Sequence, residues 1–228
     1  MFVPLKDDNP LQVIRFQYVC VALIAVNIAI FLLTGAMHGE EALIMAATGY
    51  GVVPTELLDL SRVGSGSLNP VAEPVTLLTY MFLHGGWVHL LSNMAFLWVF
   101  GDNIEDAFGH FGFLLFYLLS GIAAAGLHVI MSADSNQPLI GASGAVSGII
   151  AAYLLLFPRA RVWILLFMRI PLKIPAAFVL GGWILLQFAS LFMQQTEGQA
   201  IAWWAHIGGF AAGLLLTLIL RSRLLVKT

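Results

Sequence analysis

A chain of 228 residues that is 60% hydrophobic and only 10% charged has too little polar surface to coat a water-soluble globule, in which about a quarter of residues carry charge. Its net charge of −2 points to neither nucleic acid nor an acidic ligand. The single cysteine, Cys20, excludes an intrachain disulfide. The chain therefore belongs in a bilayer.

Crossing the hydrocarbon core takes about 20 mostly apolar residues in a helix. Six runs approach this: Phe16 to Leu33, Trp87 to about Phe108, Phe111 to Met131, Ala142 to Phe157, Pro175 to Met193, and Ile201 to Leu220. Period-two alternation is absent, which argues against an outer-membrane barrel. The expected fold is all-α, a polytopic bundle of six transmembrane helices. The first run is too long for a signal-peptide core and is expected to stay as an anchor. With the amino terminus in the cytoplasm, nine Lys and Arg (Lys6, Arg15, Arg159, Arg161, Arg169, Lys173, Arg221, Arg223, Lys227) lie inside and only Arg62 lies outside. Positive residues favour the cytoplasmic side, so both termini are predicted there, and spans two, four and six start at the outer face.

Residues 1–15 form a short lead with no assigned function. The stretch from Gly35 to Pro74 makes a long outer loop, in which Ala42–Ala47 and Glu56–Leu60 suggest short interfacial helices and Gly64–Ser67 a flexible linker. Next come the apolar run Val75–Leu83 and then His84-Gly85-Gly86-Trp87, whose glycines break any continuous helix and leave His84 in the loop leading into span two. His89 and Asn93, four apart, share a face of that span. Its inner end carries Asp102, Asn103, Glu105 and Asp106, with no basic neighbours in sequence. Span three is rich in small residues, and its His128 reads as a solvated interfacial histidine.

Pro138 and Gly141 keep the approach to Ser143 irregular, which at membrane depth requires surrounding protein or a water-filled cavity. Span four, stopped by Pro158, gives only about 24 Å of helix against about 30 Å of hydrocarbon, so Ser143 is predicted to start below the surface. Gly144 and Gly148 form a small-xxx-small pair, and Gly209 and Gly213 form another in span six, so these two spans are predicted to pack closely. Val162–Ile170, apolar among basic residues, is placed at the cytoplasmic interface.

Gly-Ala-Ser-Gly alone is compatible with packing. Ser143 stands out because it begins a helix, where free N–H groups and the helix dipole can stabilise an oxyanion. His206, about 7 Å deep in span six, is the base at matching depth. No carboxylate lies in the outer half of a span, Asp134 and Glu197 being in loops, so a two-residue Ser/His machine is the economical reading. Asn93 and His89 offer oxyanion donors; the plainer readings are an interhelical bond for Asn93 and a solvated pair for His84 and His89. A metal held by His84, His89 and His206 is a rival. The five-residue spacing of the first two and the lack of an accompanying acid weigh against it.

His84-x4-His89-x3-Asn93, Gly141-Ala142-Ser143-Gly144, and Ala205-His206-Ile207-Gly208-Gly209-x3-Gly213 together resemble the rhomboid family of intramembrane serine proteases, over nearly everything from Val75 to Leu220. The resemblance implies a cavity opening outward and hydrolysis of peptide bonds in or near transmembrane segments of other membrane proteins. It makes Ser143 the nucleophile, His206 the base, and Asn93, His89 and Gly141 the oxyanion and substrate contacts. His84, Glu105, Gly144, Gly148, Gly209 and Gly213 are structural candidates. The protease domain is expected over 16–221, between the lead 1–15 and a tail 222–228, in a bacterial inner membrane. No cofactor, metal or nucleic acid is expected; the partners are transmembrane substrates and the lipid bilayer. Two features depart from the family: the first loop has no tryptophan, and Ser147 stands where a tyrosine often stacks on the histidine. A catalytically silent binder of membrane proteins is the alternative; a transporter would spread its polar residues along a path across the membrane.

Overall fold

The computed structural model describes residues 2–36, 39–59, 70–193 and 203–226. Arg62, the Gly64–Ser67 linker, the loop from Gln194 to Gln199 with Glu197, and Lys227 lie outside these. Helix dominates, as it must where lipid offers the backbone no partners. Helix α1 is Tyr18–Phe31, α2 Gly39–Tyr50, α3 Pro54–Leu58 and α4 Glu73–Thr79; α5 is Trp87–Met131, α6 Ser143–Leu156, α7 Ala176–Met193 and α8 Trp203–Leu220. By length and composition, the stretches Tyr18–Gly35, Trp87–Met131 and Trp203–Arg223 can each cross a membrane.

The 45-residue α5 breaks at Gly109, whose φ of 72° and ψ of 164° are not helical. Glycine alone reaches such a φ at no steric cost. The chain doubles back there, so that Gly101 faces the Phe113 ring. Segments 87–108 and 110–131 are thus separate rods, as two apolar runs in the sequence require.

Helices α6 and α8 meet backbone to backbone. A Cβ on Gly209 would lie 1.9 Å from the Gly144 carbonyl oxygen, and one on Gly213 would lie 2.4 Å from the Gly148 Cα. The same glycine brings α6 against α5, since a Cβ on Gly148 would sit 2.5 Å from the Ser120 Oγ. In lipid, where no hydrophobic force draws helices together, such close approach supplies the dispersion contacts that hold them. Helix α7 is different. Its Gly181 and Gly182 face open space, and Phe178, Leu185 and Leu186 are exposed.

A small sheet adds to the helical fold. Strands β1 (Phe2–Asp7), β2 (Arg161–Leu166) and β3 (Ile170–Pro175) run antiparallel in the order β1-β2-β3. Val162 and Ile164 point inward while Trp163 lies outside beneath the Lys173 ammonium. The segment read from sequence as one interfacial stretch, Val162–Ile170, is therefore most of a hairpin, and the lead 1–15 supplies its third strand.

The lead is fastened further by the acids at the end of segment 87–108. Asp106 accepts hydrogen bonds from the backbone N–H groups of Gln12, Val13 and Ile14 at 2.7 to 2.8 Å. Glu105, fully buried, accepts those of Val19 and Cys20 at 3.0 and 2.7 Å, capping the first turn of α1 from 85 residues away. Glu105 also meets Nδ1 of His110 at 2.5 Å, so Glu105 and Asp106 are both engaged within the fold, and Glu105 has a structural position. Asp7, at the end of β1, accepts the Tyr153 hydroxyl.

Candidate active site

The site sits at the other end of the same helices. Its irregular approach strand is held on two sides: Leu139 exchanges N–H···O bonds of 2.8 and 3.1 Å with Val52, and the Gly141 N–H donates to the Tyr80 carbonyl at 2.9 Å. Tyr80 is itself pinned through its hydroxyl to the Gly121 carbonyl, at 2.7 Å. Gly141 has φ of 118°, in the region that favours glycine. A Cβ there would also lie 2.6 Å from Nε2 of His89. The turn so fixed delivers Ser143 as the first residue of α6.

Across the α6–α8 contact, Nε2 of His206 is 2.8 Å from the Ser143 Oγ. The glycines decide this distance, since His206 is three and seven residues from Gly209 and Gly213 and lies on their face. On its other edge, Nδ1 of His206 lies 3.0 Å from Oε1 of Gln187 on α7. The ring is flanked by Trp183, with centroids 5.8 Å apart, and by Trp203, at 6.0 Å and nearly edge-on. Two tryptophans thus stand around the histidine, while Ser147 turns back to the Ser143 carbonyl, at 2.6 Å.

A cavity of about 730 Å³ opens over these groups. Its polar lining includes His89, Asn93, His128, Ser143, Gln187 and His206, and its apolar walls include Phe96, Leu139, Trp183 and Trp203. Asn93 donates one amide hydrogen to the His89 carbonyl of its own helix at 3.0 Å, which leaves the second hydrogen for the cavity. That bond is within one helix, unlike the interhelical bond considered from sequence. His89 accepts the Gly85 N–H at Nδ1, at 3.3 Å, so its proton sits on Nε2, on the side of Gly141. The structure thus brings Ser143, His206, Asn93 and His89 to one cavity, with Gly141 beside His89 in the turn that leads to Ser143.

His84 stays outside the cavity lining. It is buried in the loop, edge-on to His89 at 5.0 Å between ring centroids, which is packing rather than the solvated pair considered from sequence. Burial pushes its imidazole down to about 3, so it is neutral at physiological pH. His128, read from sequence as solvated, is also buried and lines the cavity. Among the described residues, no three His, Cys, Asp or Glu side chains gather so as to hold a metal ion. Sequence reasoning missed Gln187. Its only signal there is that it is the one amide within a helix otherwise apolar but for Ser190, which in a bilayer is itself a reason for attention.

Comparison with known proteins agrees with this architecture. A family model described as the Rhomboid domain matches residues 71–223. RHOMBOID-like protein 12, mitochondrial, of Arabidopsis thaliana is 30% identical over 172 residues, which are 68% of this chain and 47% of that protein. Rhomboid protein 1, mitochondrial, of Saccharomyces cerevisiae is 27% identical over 154 residues, 64% of this chain and 41% of that protein. Rhomboid protease GluP of Bacillus subtilis is 36% identical over 104 residues, 46% of this chain and 20% of that protein. The chain spans less than half the length of each of these relatives, which come from plant and yeast mitochondria and from a bacterium. With a family model that covers most of its length and an apolar helical bundle built on the same motifs, this membrane protein belongs to the rhomboid family.

Proposed function

We propose that the chain is an intramembrane serine endopeptidase that cleaves peptide bonds in or near transmembrane segments of other membrane proteins. One observation carries this reading: a helix-starting serine and an intramembrane histidine in hydrogen-bond contact at 2.8 Å on the floor of an open cavity. One relative, Rhomboid protease GluP of Bacillus subtilis, supports it at the level of the family.

In the proposed reaction, Ser143 Oγ attacks the scissile carbonyl carbon as its proton passes to Nε2 of His206. The carbonyl oxygen gains negative charge and is met by the free amide hydrogen of Asn93, by Nε2–H of His89 and by N–H groups of the first turn of α6. The C–N bond then breaks, and the imidazolium returns its proton to the leaving amine. Water, deprotonated by the same histidine, releases the acyl group and restores Ser143. A cavity within the bundle serves this chemistry by admitting water where lipid would exclude it.

We take the protease domain as 16–221 with six spans, counting segments 87–108 and 110–131 separately. Its amino-terminal lead and its tail 222–228 are cytoplasmic, and the cavity opens outward. The Lys and Arg distribution supports that orientation. The deciding experiment reconstitutes the full chain in liposomes with a model transmembrane substrate. Wild type cleaves it, Ser143→Ala and His206→Ala do not, and chelators leave the rate unchanged. Cleavage by Ser143→Ala would remove the serine mechanism, inhibition by chelators would favour a metal, and an inert but substrate-binding wild type would favour a silent binder.

A further inference from the structure

We propose that Gln187 is a positioning residue for His206, fixing the imidazole in the tautomer whose bare Nε2 faces Ser143. The inference rests on the Ser143/His206 reading above. A neutral imidazole carries one N–H and one lone pair, and a hydrogen bond at one nitrogen decides which is which. With the Gln187 Oε1 at 3.0 Å from Nδ1, the hydrogen sits on Nδ1 and the lone pair on Nε2. There, 2.8 Å away, is the Ser143 Oγ. The opposite tautomer would set an N–H against the hydroxyl and leave no acceptor for its proton.

Helix α7 is shaped for this grip. Gln187 is 7% exposed, while its neighbours Leu185, Leu186 and Phe188 are 68%, 63% and 41% exposed. Trp183, four residues earlier and so on the same face, packs against the same imidazole. A tryptophan thus fixes the plane of the ring and an amide fixes its edge. Among the described residues lining the cavity there is no aspartate or glutamate. A carboxylate within a span is costly, whereas an amide orients the ring without bringing a charge. Because it supplies orientation and no charge, Gln187 contributes less than the triad aspartate of a soluble serine protease, worth about 10⁴ in turnover. Misplacement of a catalytic group costs about 100-fold.

The test compares wild type with Gln187→Leu, Gln187→Met and Gln187→Glu, each as the full chain in liposomes. It reads kcat and KM on a model transmembrane substrate, the labelling rate of Ser143 by a fluorophosphonate, and the thermal midpoint. Leucine and methionine fill the space without accepting a hydrogen bond; glutamate can accept. The expected result is a fall of about 10- to 100-fold in kcat and in labelling for Leu and Met, with KM and thermal midpoint unchanged, and recovery to within about threefold in Gln187→Glu. Labelling of both apolar variants at the wild-type rate, a loss confined to KM or to thermal midpoint, or failure of Gln187→Glu to recover would each overturn the proposal. A wild type that the probe does not label at Ser143 would overturn the dyad reading along with it, so the two failures are distinguishable.

Discussion

The rod 87–108 carries a polar cluster at each end, and the two are treated in opposite ways. At one end Asp106 accepts three backbone N–H groups, and Glu105 accepts two and meets Nδ1 of His110, so these acids are spent on fastening the lead and capping α1. At the other end Asn93 keeps an amide hydrogen and His89 a ring N–H in a cavity that also contains Ser143 and His206. Both clusters are polar residues at the edge of an apolar helix, and only the state of their hydrogen bonds separates them. Carboxylates whose oxygens are engaged, as in Glu105 and Asp106, hold the fold together; a cluster with donors left over is available to a substrate.

The largest expected effect falls on the open end. Ser143→Ala and His206→Ala each abolish cleavage, because neither group is an effective catalyst without the other, while the thermal midpoint stays near that of wild type. If either change unfolded the protein as well, the claim that this cluster is free of structural duty would fail.

Next comes Asn93→Ala. If its spare hydrogen meets the oxyanion, turnover drops by roughly 10² to 10³ with little change in KM, since the bond strengthens only as charge develops. A fully active variant about 1 kcal/mol less stable would move Asn93 to the structural side of the comparison. Kinetics and thermal unfolding on one preparation decide between the two.

At the acidic end the expectation reverses. Asp106→Ala strands three backbone donors and should cost about 3 kcal/mol of stability, with turnover per folded molecule preserved. A Ser143 labelling rate that fell in proportion to nothing but the folded fraction would agree; lost turnover in well-folded protein would join the two ends functionally.

The smallest effect belongs to Asp7. Burial raises its carboxyl above the usual carboxylate range, so the folded state holds the proton more tightly than the unfolded chain. Its stabilisation is present at acid pH and is lost as pH rises through the folded-state value. Asp7→Asn removes this dependence, and thermal midpoints measured from acid to neutral pH should separate progressively, the wild type falling relative to the variant. Parallel curves would contradict the assignment.

How much of this the sequence makes legible depends on the kind of signal. The helical bundle follows from apolar runs that only a membrane can explain, and the break at Gly109 falls between two of them. The glycine positions on α6 and α8 state their own contact, because small-xxx-small spacing has few other uses in lipid. The sheet is hidden for a physical reason. The turn between β2 and β3 puts Phe167 and Met168 at φ of 50° and 58°, where glycine or asparagine would ordinarily mark it. The stretch therefore reads as unbroken apolar chain. The long-range partners of Glu105 and Asp106 are hidden too, since backbone N–H groups leave no mark on a sequence. Gln187 is hidden because a partner for a catalytic histidine is ordinarily a carboxylate, whereas an amide serves orientation without charge.

The central claim is that His206 activates Ser143, and covalent labelling by a fluorophosphonate tests it most directly, since the probe needs an activated serine but no transmembrane substrate. The account predicts labelling of wild type at Ser143, loss of labelling in Ser143→Ala and in His206→Ala, and labelling per folded molecule unchanged in Asp106→Ala. A wild type inert to the probe, or a His206→Ala variant labelled as fast as wild type, would contradict it.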